Sequence, residues 1–359
     1  MKILNETKMS KNRLAMLWEP APDERDAHTV RCNLCAHRCL IREGRKGICL
    51  VRENVGGQLH TLVHGRVISA NVDPIEKKPL FHFHPGSQSF SIATVGCNYR
   101  CHWCQNWQIS QAVREEHVLY GGQRATPAEL VASARRAGCE SIAYTYTEPT
   151  IFFEYAYETA RLAHGTGIAN VFVTNGYMTS EALETIRSHL DAANVDLKAF
   201  RDETYRKLIG ARLEPVLDSL VRMKQAGVWV EVTTLVITDL NDSPGELGQI
   251  AAFIHDELGP DTPWHVSRYH PTYKYDAAPT PVERLVRAWK IGKETGLHHV
   301  FVGNVPGWML PDGVEGESTY CHGCGARLIA RRGYSIRQNR VRDGTCPDCG
   351  APVAGVGLG

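Results

Sequence analysis

Cysteine is the residue whose spacing speaks first. The chain has twelve, and eleven fall into three tight sets. The central set is Cys97-x3-Cys101-x2-Cys104, inside Gly96-Cys-Asn-Tyr-Arg-Cys-His-Trp-Cys-Gln-Asn-Trp107. Three thiolates in so short a loop can hold one corner region of an iron–sulfur cube. A [4Fe–4S] cluster is fully ligated by four cysteines, so three leave one iron open to a small molecule. The competing reading is a zinc site with His102 as fourth ligand, since zinc accepts mixed Cys/His sets. His102 lies within the same tight loop, and closing such a site would strain it.

The other two sets each contain four cysteines. Cys321-x2-Cys324 and Cys346-x2-Cys349 form two knuckles 21 residues apart, the pattern of a tetrahedral zinc ribbon. A redox dithiol is the alternative. Cys32-x2-Cys35-x3-Cys39-x9-Cys49 suits a structural zinc or an auxiliary iron–sulfur cluster, and spacing does not separate the two; zinc is the preferred reading. Met1 to Asn12 carries no apolar leader, which favours metal sites over disulfides. Cys139 stands alone.

A loop of thiolates needs elements to aim it. Ser89–Val95 is strand-like and runs straight into Cys97. Further strand-like runs follow at Ser141–Thr145, Ala169–Thr174, Ala193–Leu197, Val228–Ile237 and Trp264–Tyr269, with one more about His299–Val302. Helical patterns separate them. Thr126-Pro127-Ala128-Glu129 is a capping box, and Thr280-Pro281-Val282-Glu283 repeats its logic before a helix ending at Gly296. Alternation of this kind implies parallel strands joined by right-handed crossovers. The fold class expected is α/β, a partial (β/α)6 barrel or an open sheet, with function at the C-terminal strand ends. Polar residues gather at those ends: Thr145–Glu148, Thr174-Asn175-Gly176, Asp196-Leu197-Lys198 and Ser267–His270.

Length and composition set the frame. The 359 residues allow one large domain with smaller modules. The expected division is an N-terminal Cys-rich module over 1–88, the partial barrel over 89–303 and a zinc-ribbon-like module over 304–359. Net charge is +1, with 43% hydrophobic and 22% charged residues, so nothing global points to nucleic acid or membrane. No apolar run of about 18 residues exists, and the expected location is the cytoplasm. A hairpin is expected around His64-Gly65, and a Pro-punctuated connector over Asp73–Pro79. His82 and His84 read as solvent-facing or hydrogen-bonded, the arginine-rich stretch 327–342 as a solvated ribbon face, and Val353–Gly359 as a frayed tail.

The central loop, with Trp103 before its last cysteine, resembles the radical S-adenosylmethionine (SAM) superfamily. It is similar to the pyruvate formate-lyase activating-enzyme branch, and the chain as a whole to the radical SAM enzyme of the AmmeMemoRadiSam system. Tyr144–Thr150, Val171–Tyr177, Val195–Lys198 and Trp264–Pro271 carry that likeness. The resemblance implies a [4Fe–4S] cluster on Cys97, Cys101 and Cys104, SAM on the open iron, and reductive cleavage to a 5′-deoxyadenosyl radical that takes a hydrogen atom from substrate. It implies SAM contacts at Trp103, Thr147, Glu148, Thr174, Asn175, Gly176, Asp196, Lys198 and His270. Tyr146-Thr147-Glu148 stands where the superfamily has Gly-Gly-Glu. Plainer readings stay open for three of these places. Glu148 would favour a helix N-terminus, Thr174–Gly176 would make a turn, and Asp196 would pair with Lys198. His265 would simply be packed, and Arg268 and Tyr273 would meet substrate. The substrate expected is an unidentified small molecule or peptide; installation of a glycyl radical in a partner protein is the alternative. A zinc-ribbon module binding nucleic acid or protein is a distant third. A flavodoxin- or ferredoxin-type electron donor and pathway companions of Memo and AMMECR-like type are the implied partners.

Overall fold

The computed structural model describes residues 13–22, 26–115, 122–305, 310 and 313–359. Its frame is a mostly parallel eight-stranded sheet. The strands are β1 (Ser69–Pro74), β2 (Gln88–Ala93), β3 (Ser141–Tyr144), β4 (Ala169–Thr174), β5 (Ala192–Asp196), β6 (Trp229–Val236), β7 (Trp264–Arg268) and β8 (Val300–Gly303). They lie side by side in chain order, and only β1 runs antiparallel, against β2. The connector expected over Asp73–Pro79 is thus in part an edge strand.

Helices cross between the parallel strands: α1 (Pro127–Arg136), α2 (Phe153–His164), α3 (Ser180–Ile186), α4 (Glu214–Gln225), α5 (Pro244–Phe253) and α6 (Val282–Thr295). The Thr126 capping box forms as the sequence implies. Its hydroxyl accepts from Glu129 N–H at 3.2 Å, and Glu129 accepts from Thr126 N–H at 2.7 Å. The second box does not form. Thr280 instead donates its hydroxyl to the Val236 carbonyl at 2.5 Å and accepts from Tyr269 N–H at 3.2 Å. The same hydroxyl that would cap α6 ties the ends of β6 and β7 together.

Strand interiors are mostly buried, with apolar residues packed under the helices and polar ones such as Glu231, Thr233 and His265 among them. Trp264 is fully buried, with its indole N–H on Thr234 Oγ1 at 3.0 Å. Helix α6 can approach it only because Gly292 has no side chain. A Cβ there would lie 2.8 Å from Val300 Cγ2 and 3.0 Å from the Trp264 ring.

The N-terminal region packs into the same core, through Val30, Leu34, Ile41, Val51 and Leu59. The hairpin falls at Gly56-Gly57, where Arg52–Val55 pairs with Gln58–Thr61. His64-Gly65 is only a turn, because the next residues, Arg66–Val67, pair with Gln123–Arg124. The C-terminal segment has its own small core of Leu328, Ile329, Val341, Val353 and Leu358 over a three-stranded antiparallel sheet. The tail is docked, not frayed. Val356 exchanges backbone hydrogen bonds with His82 (2.8 Å) and His84 (2.7 Å), and Leu358 is buried. His82 is itself buried, on Thr319 Oγ1 and the Ala354 carbonyl. Arg331 also departs from a solvated face: it is buried, with its guanidinium 4.6 Å from the Phe81 ring centroid. Among the described residues, no helix is long and apolar enough to cross a membrane.

Candidate functional site

Parallel register builds the site row by row. Asp196 stands beside Thr233, Thr233 beside His265, and His265 beside Phe301. Two residues further along come Leu235, Ser267 and Gly303. Side chains two apart on a strand share a face, and Asp196, Thr233, Leu235, His265 and Ser267 all line one cavity of about 490 Å³. That is ordinary for a small-molecule site. Cys97, Cys101, Trp103, Cys104, Thr147, Thr174, Asn175 and Lys198 line it too.

The cysteine loop is held from all sides. Gly96 N–H donates to Ile109 O, Arg100 N–H to Ile209 O, and Gln111 Nε2 to Tyr99 O. His37 Nε2 lies 2.9 Å from Asn98 O. Cys97 and Cys101 are buried, and Cys104 is half-buried. Burial pushes the Cys97 thiol well up, aided by the neighbouring Glu148 carboxylate, and takes Cys101 up to about 12. Such thiols are poor free nucleophiles; a metal is what would make thiolates of them. Donors already face the sulfurs. Tyr99 N–H is 3.4 Å from Cys97 Sγ, Asn175 Nδ2 is 3.9 Å from it, and Ser110 Oγ is 3.2 Å from Cys104 Sγ. Asn98 Nδ2, buried beside Cys97, has no partner at all. Surplus donors around buried sulfur fit an anionic iron–sulfur cluster. A mononuclear zinc with His102 fits poorly. Among the described residues, only the C-terminal cysteines bring three or more ligand atoms within 4.8 Å of one another.

Near Cys101 in the same cavity, Lys198 Nζ and Asp196 Oδ2 pair at 2.9 Å. Burial pulls the Lys198 ammonium down, but the charge and hydrogen bond of Asp196 outweigh it and hold the group well above its ordinary value. The pair still faces the cavity, so the internal salt bridge and a ligand contact are not exclusive. Thr147 spends its proton on Thr94 O at 2.9 Å, which leaves its oxygen free to accept. Thr233 Oγ1 is buried and unpartnered on the same wall. These groups suit a ligand carrying ammonium, carboxylate and hydroxyl functions, as SAM does.

Five expected site residues lie off the cavity lining. Glu148 is fully buried behind the wall. Oε1 accepts from Thr150 N (3.0 Å), Thr150 Oγ1 (2.6 Å) and Thr174 Oγ1 (2.7 Å), and Oε2 from Asn175 N (2.8 Å). It starts the turn before α2 and fixes the end of β4. Gly176, at φ +69°, packs where a Cβ would meet Val195 at 2.8 Å, so it lets β4 turn tightly against β5. His270 is exposed and off the cavity wall, while His265 faces the cavity and holds Glu231 Oε2 at 2.6 Å. Arg268 and Tyr273 do not line the cavity: Arg268 Nε donates to Thr280 O, and Tyr273 stacks on Trp107. Thr233 and Leu235 are not flagged by the sequence, His265 reads there as packed, and Ser267 stands out only as part of a polar strand end. The two-residue period of a strand is the signal that puts Thr233 and Leu235 on one face of β6 and His265 and Ser267 on one face of β7.

Tyr146 occupies a glycine's place. Its φ is +63°, a left-handed conformation costing about 1–2 kcal/mol for a residue with a Cβ. Asn106 Nδ2 holds its carbonyl at 2.8 Å, and its hydroxyl donates to Asp73. Asp73 also takes Lys78 Nζ at 2.6 Å. Burial lowers the Lys78 ammonium to about 8.

In the C-terminal set, Cys321 and Cys349 are 3.6 Å apart and Cys324 and Cys346 3.7 Å, spacings that four ligands of one ion adopt.

The Radical SAM superfamily profile matches residues 91–254. The uncharacterized protein MJ0808 of Methanocaldococcus jannaschii is 44% identical over 344 residues, 95% of this chain and 98% of that one. The pyruvate formate-lyase-activating enzyme of Clostridium pasteurianum is 24% identical over 44% of this chain and 66% of that one. Among solved structures, Streptococcus suis SuiB bound to S-adenosylmethionine is similar over 64% of this chain and 52% of that one, at TM-score 0.48 and 13% identity.

Proposed function

The chain belongs to the radical SAM superfamily, and from that premise we propose that it is the radical SAM enzyme of an AmmeMemoRadiSam-type system, acting on a small molecule or peptide. The observation that carries the reading is one cavity lined both by three buried or half-buried thiols and by the Asp196/Lys198 pair. Cys97, Cys101 and Cys104 would hold a [4Fe–4S] cluster. When bound, cluster and SAM together supply a reductively generated 5′-deoxyadenosyl radical, chemistry that belongs to the cofactors.

The protein's part is to bind, orient and keep water out. Lys198 offers its charge to a carboxylate, and Asp196 accepts from ribose hydroxyls. Thr147 oxygen accepts from an ammonium. Thr174 and Asn175, fixed by Glu148, shape the wall beneath. Trp103, nearly buried against Tyr275, shields the loop on the cavity side. The sheet is read as a partial (β/α)6 barrel over 89–303, with modules over 1–88 and 304–359. The C-terminal four cysteines are read as a zinc site. A flavodoxin- or ferredoxin-type protein is the proposed electron donor, with Memo and AMMECR-like companions in the same pathway.

Anaerobically reconstituted protein with dithionite and SAM is expected to release 5′-deoxyadenosine, and Cys104→Ala to abolish it. A fully reduced, iron-replete protein that leaves SAM intact would overturn the proposal. A stable glycyl radical in a co-purified protein would move the substrate to a partner polypeptide.

A further inference from the structure

Two four-cysteine sets flank the central loop. The C-terminal four have all their sulfurs within 4.8 Å, as a single ion with metal–sulfur bonds of about 2.3 Å demands. Cys32, Cys35, Cys39 and Cys49 also converge, each the electrostatic neighbour of the others, and none is in a disulfide. Among the described residues, the compact four-atom group is found only at the C-terminal set.

A second observation is independent of spacing. Arg52 is buried, its side chain 1% exposed, and faces Cys32, Cys35 and Cys49. Glu154 lies 3.1 Å away, and one guanidinium nitrogen donates to the Met16 carbonyl. Nε and Nη1 have no partner. Glu154 offsets part of the charge, but two buried N–H groups beside the thiols stay costly unless a further acceptor meets them. Backbone N–H groups of His37, Ile48 and Val51 are also aimed at the sulfurs of Cys35, Cys39 and Cys49. Donors of this kind surround iron–sulfur clusters and tune them.

We propose that Cys32, Cys35, Cys39 and Cys49 hold a second iron–sulfur cluster, with Arg52 as its buried counter-charge. This replaces the zinc preferred from spacing alone. Four thiolates leave no iron open, so the cluster carries electrons and binds no SAM. It sits against the central loop. The Cys49 carbonyl is 3.3 Å from where a Gly96 Cβ would be, and Arg114 faces both Cys49 and Cys97.

The test uses the full-length chain and needs no SAM cleavage, so it stands apart from the proposed function. Cys97→Ala/Cys101→Ala/Cys104→Ala, reconstituted anaerobically, is expected to retain about four irons and, when reduced, an electron paramagnetic resonance signal that SAM leaves unchanged. The complementary Cys39→Ala/Cys49→Ala protein is expected to drop from about eight irons to about four, with a SAM-responsive signal. Iron lost completely from the triad variant, a second zinc equivalent in its place, or unchanged iron in the Cys39/Cys49 variant would overturn the proposal.

Discussion

Removing the Glu148 carboxylate separates a positioning role from direct contact with SAM. In Glu148→Ala, four donors lose their acceptor: Thr150 N–H, Thr150 Oγ1–H, Thr174 Oγ1–H and Asn175 N–H. The two hydroxyls can rotate toward other acceptors. The two backbone N–H groups cannot, and each buried orphan costs about 1–3 kcal/mol, or about 2–6 kcal/mol together. Burial raises the carboxyl's pKa in spite of these bonds, so the buried charge is itself unfavourable, and its removal returns part of the loss. A net destabilisation of about 2–4 kcal/mol follows, which for a chain of 359 residues corresponds to a melting decrease of roughly 3–5 °C. Glu148→Gln should fall between, because Oε1 keeps its three donors while the amide NH2 opposes Asn175 N–H. Thermal unfolding followed by circular dichroism reads the first effect, and equilibrium SAM binding to reconstituted protein reads the second. In Glu148→Gln, SAM affinity should fall only moderately while melting shifts. Unchanged melting with abolished SAM binding would refute the reasoning and make Glu148 a direct ligand.

Other outcomes follow from the same geometry. Lys198→Met should weaken SAM binding while leaving iron content unchanged; equal binding by titration calorimetry would remove Lys198 from the site. Gly292→Ala should destabilise the fold by about 1–3 kcal/mol through overpacking against Trp264 and Val300, measured by denaturant unfolding. Asp73 carries the pH dependence. Burial would raise its carboxyl, but hydrogen bonds from Lys77, Lys78 and Tyr146 win and hold it below the ordinary 3.8. A carboxyl depressed in the folded state stabilises at pH above its unfolded value and loses that contribution as pH falls through the folded one. The stability advantage over Asp73→Asn should therefore be full above about pH 4 and shrink below it; an advantage that grows in acid would contradict the assignment. Cys349→Ser should lose one bound metal ion per chain by elemental analysis, with iron unchanged.

Much of the frame was legible because parallel strands buried on both faces are written as β-branched runs, and each such run from Ser89 to Tyr269 found its place in the sheet. The triad was legible because its chemistry is local. What escaped depends on contacts distant in sequence. Whether a polar side chain at a strand end faces the cavity or its back is decided by neighbouring strands. Glu148 was drawn behind the wall by Thr174 and Asn175, and His265 was turned inward where His270 was expected. The tail looked frayed because its glycines carry no local preference, yet Val353 and Leu358 find a core and Val356 pairs with the 82–84 segment. Thr280 reads as a cap until Val236 and Tyr269 are beside it. The left-handed Tyr146 is the converse case. The sequence shows a missing glycine, and only the structure shows Asn106 and Asp73 holding the strained residue in the glycine's conformation.

The central claim is that three thiolates leave one iron open and that SAM takes it. The direct measurement is hyperfine spectroscopy of the reduced Cys39→Ala/Cys49→Ala protein, which isolates the triad, with SAM labelled at its amino nitrogen and carboxylate oxygens. The account predicts coupling of both labels to the cluster's unpaired spin, lost in Cys104→Ala. A reduced triad cluster that shows no coupling to either label in the presence of saturating SAM would contradict it.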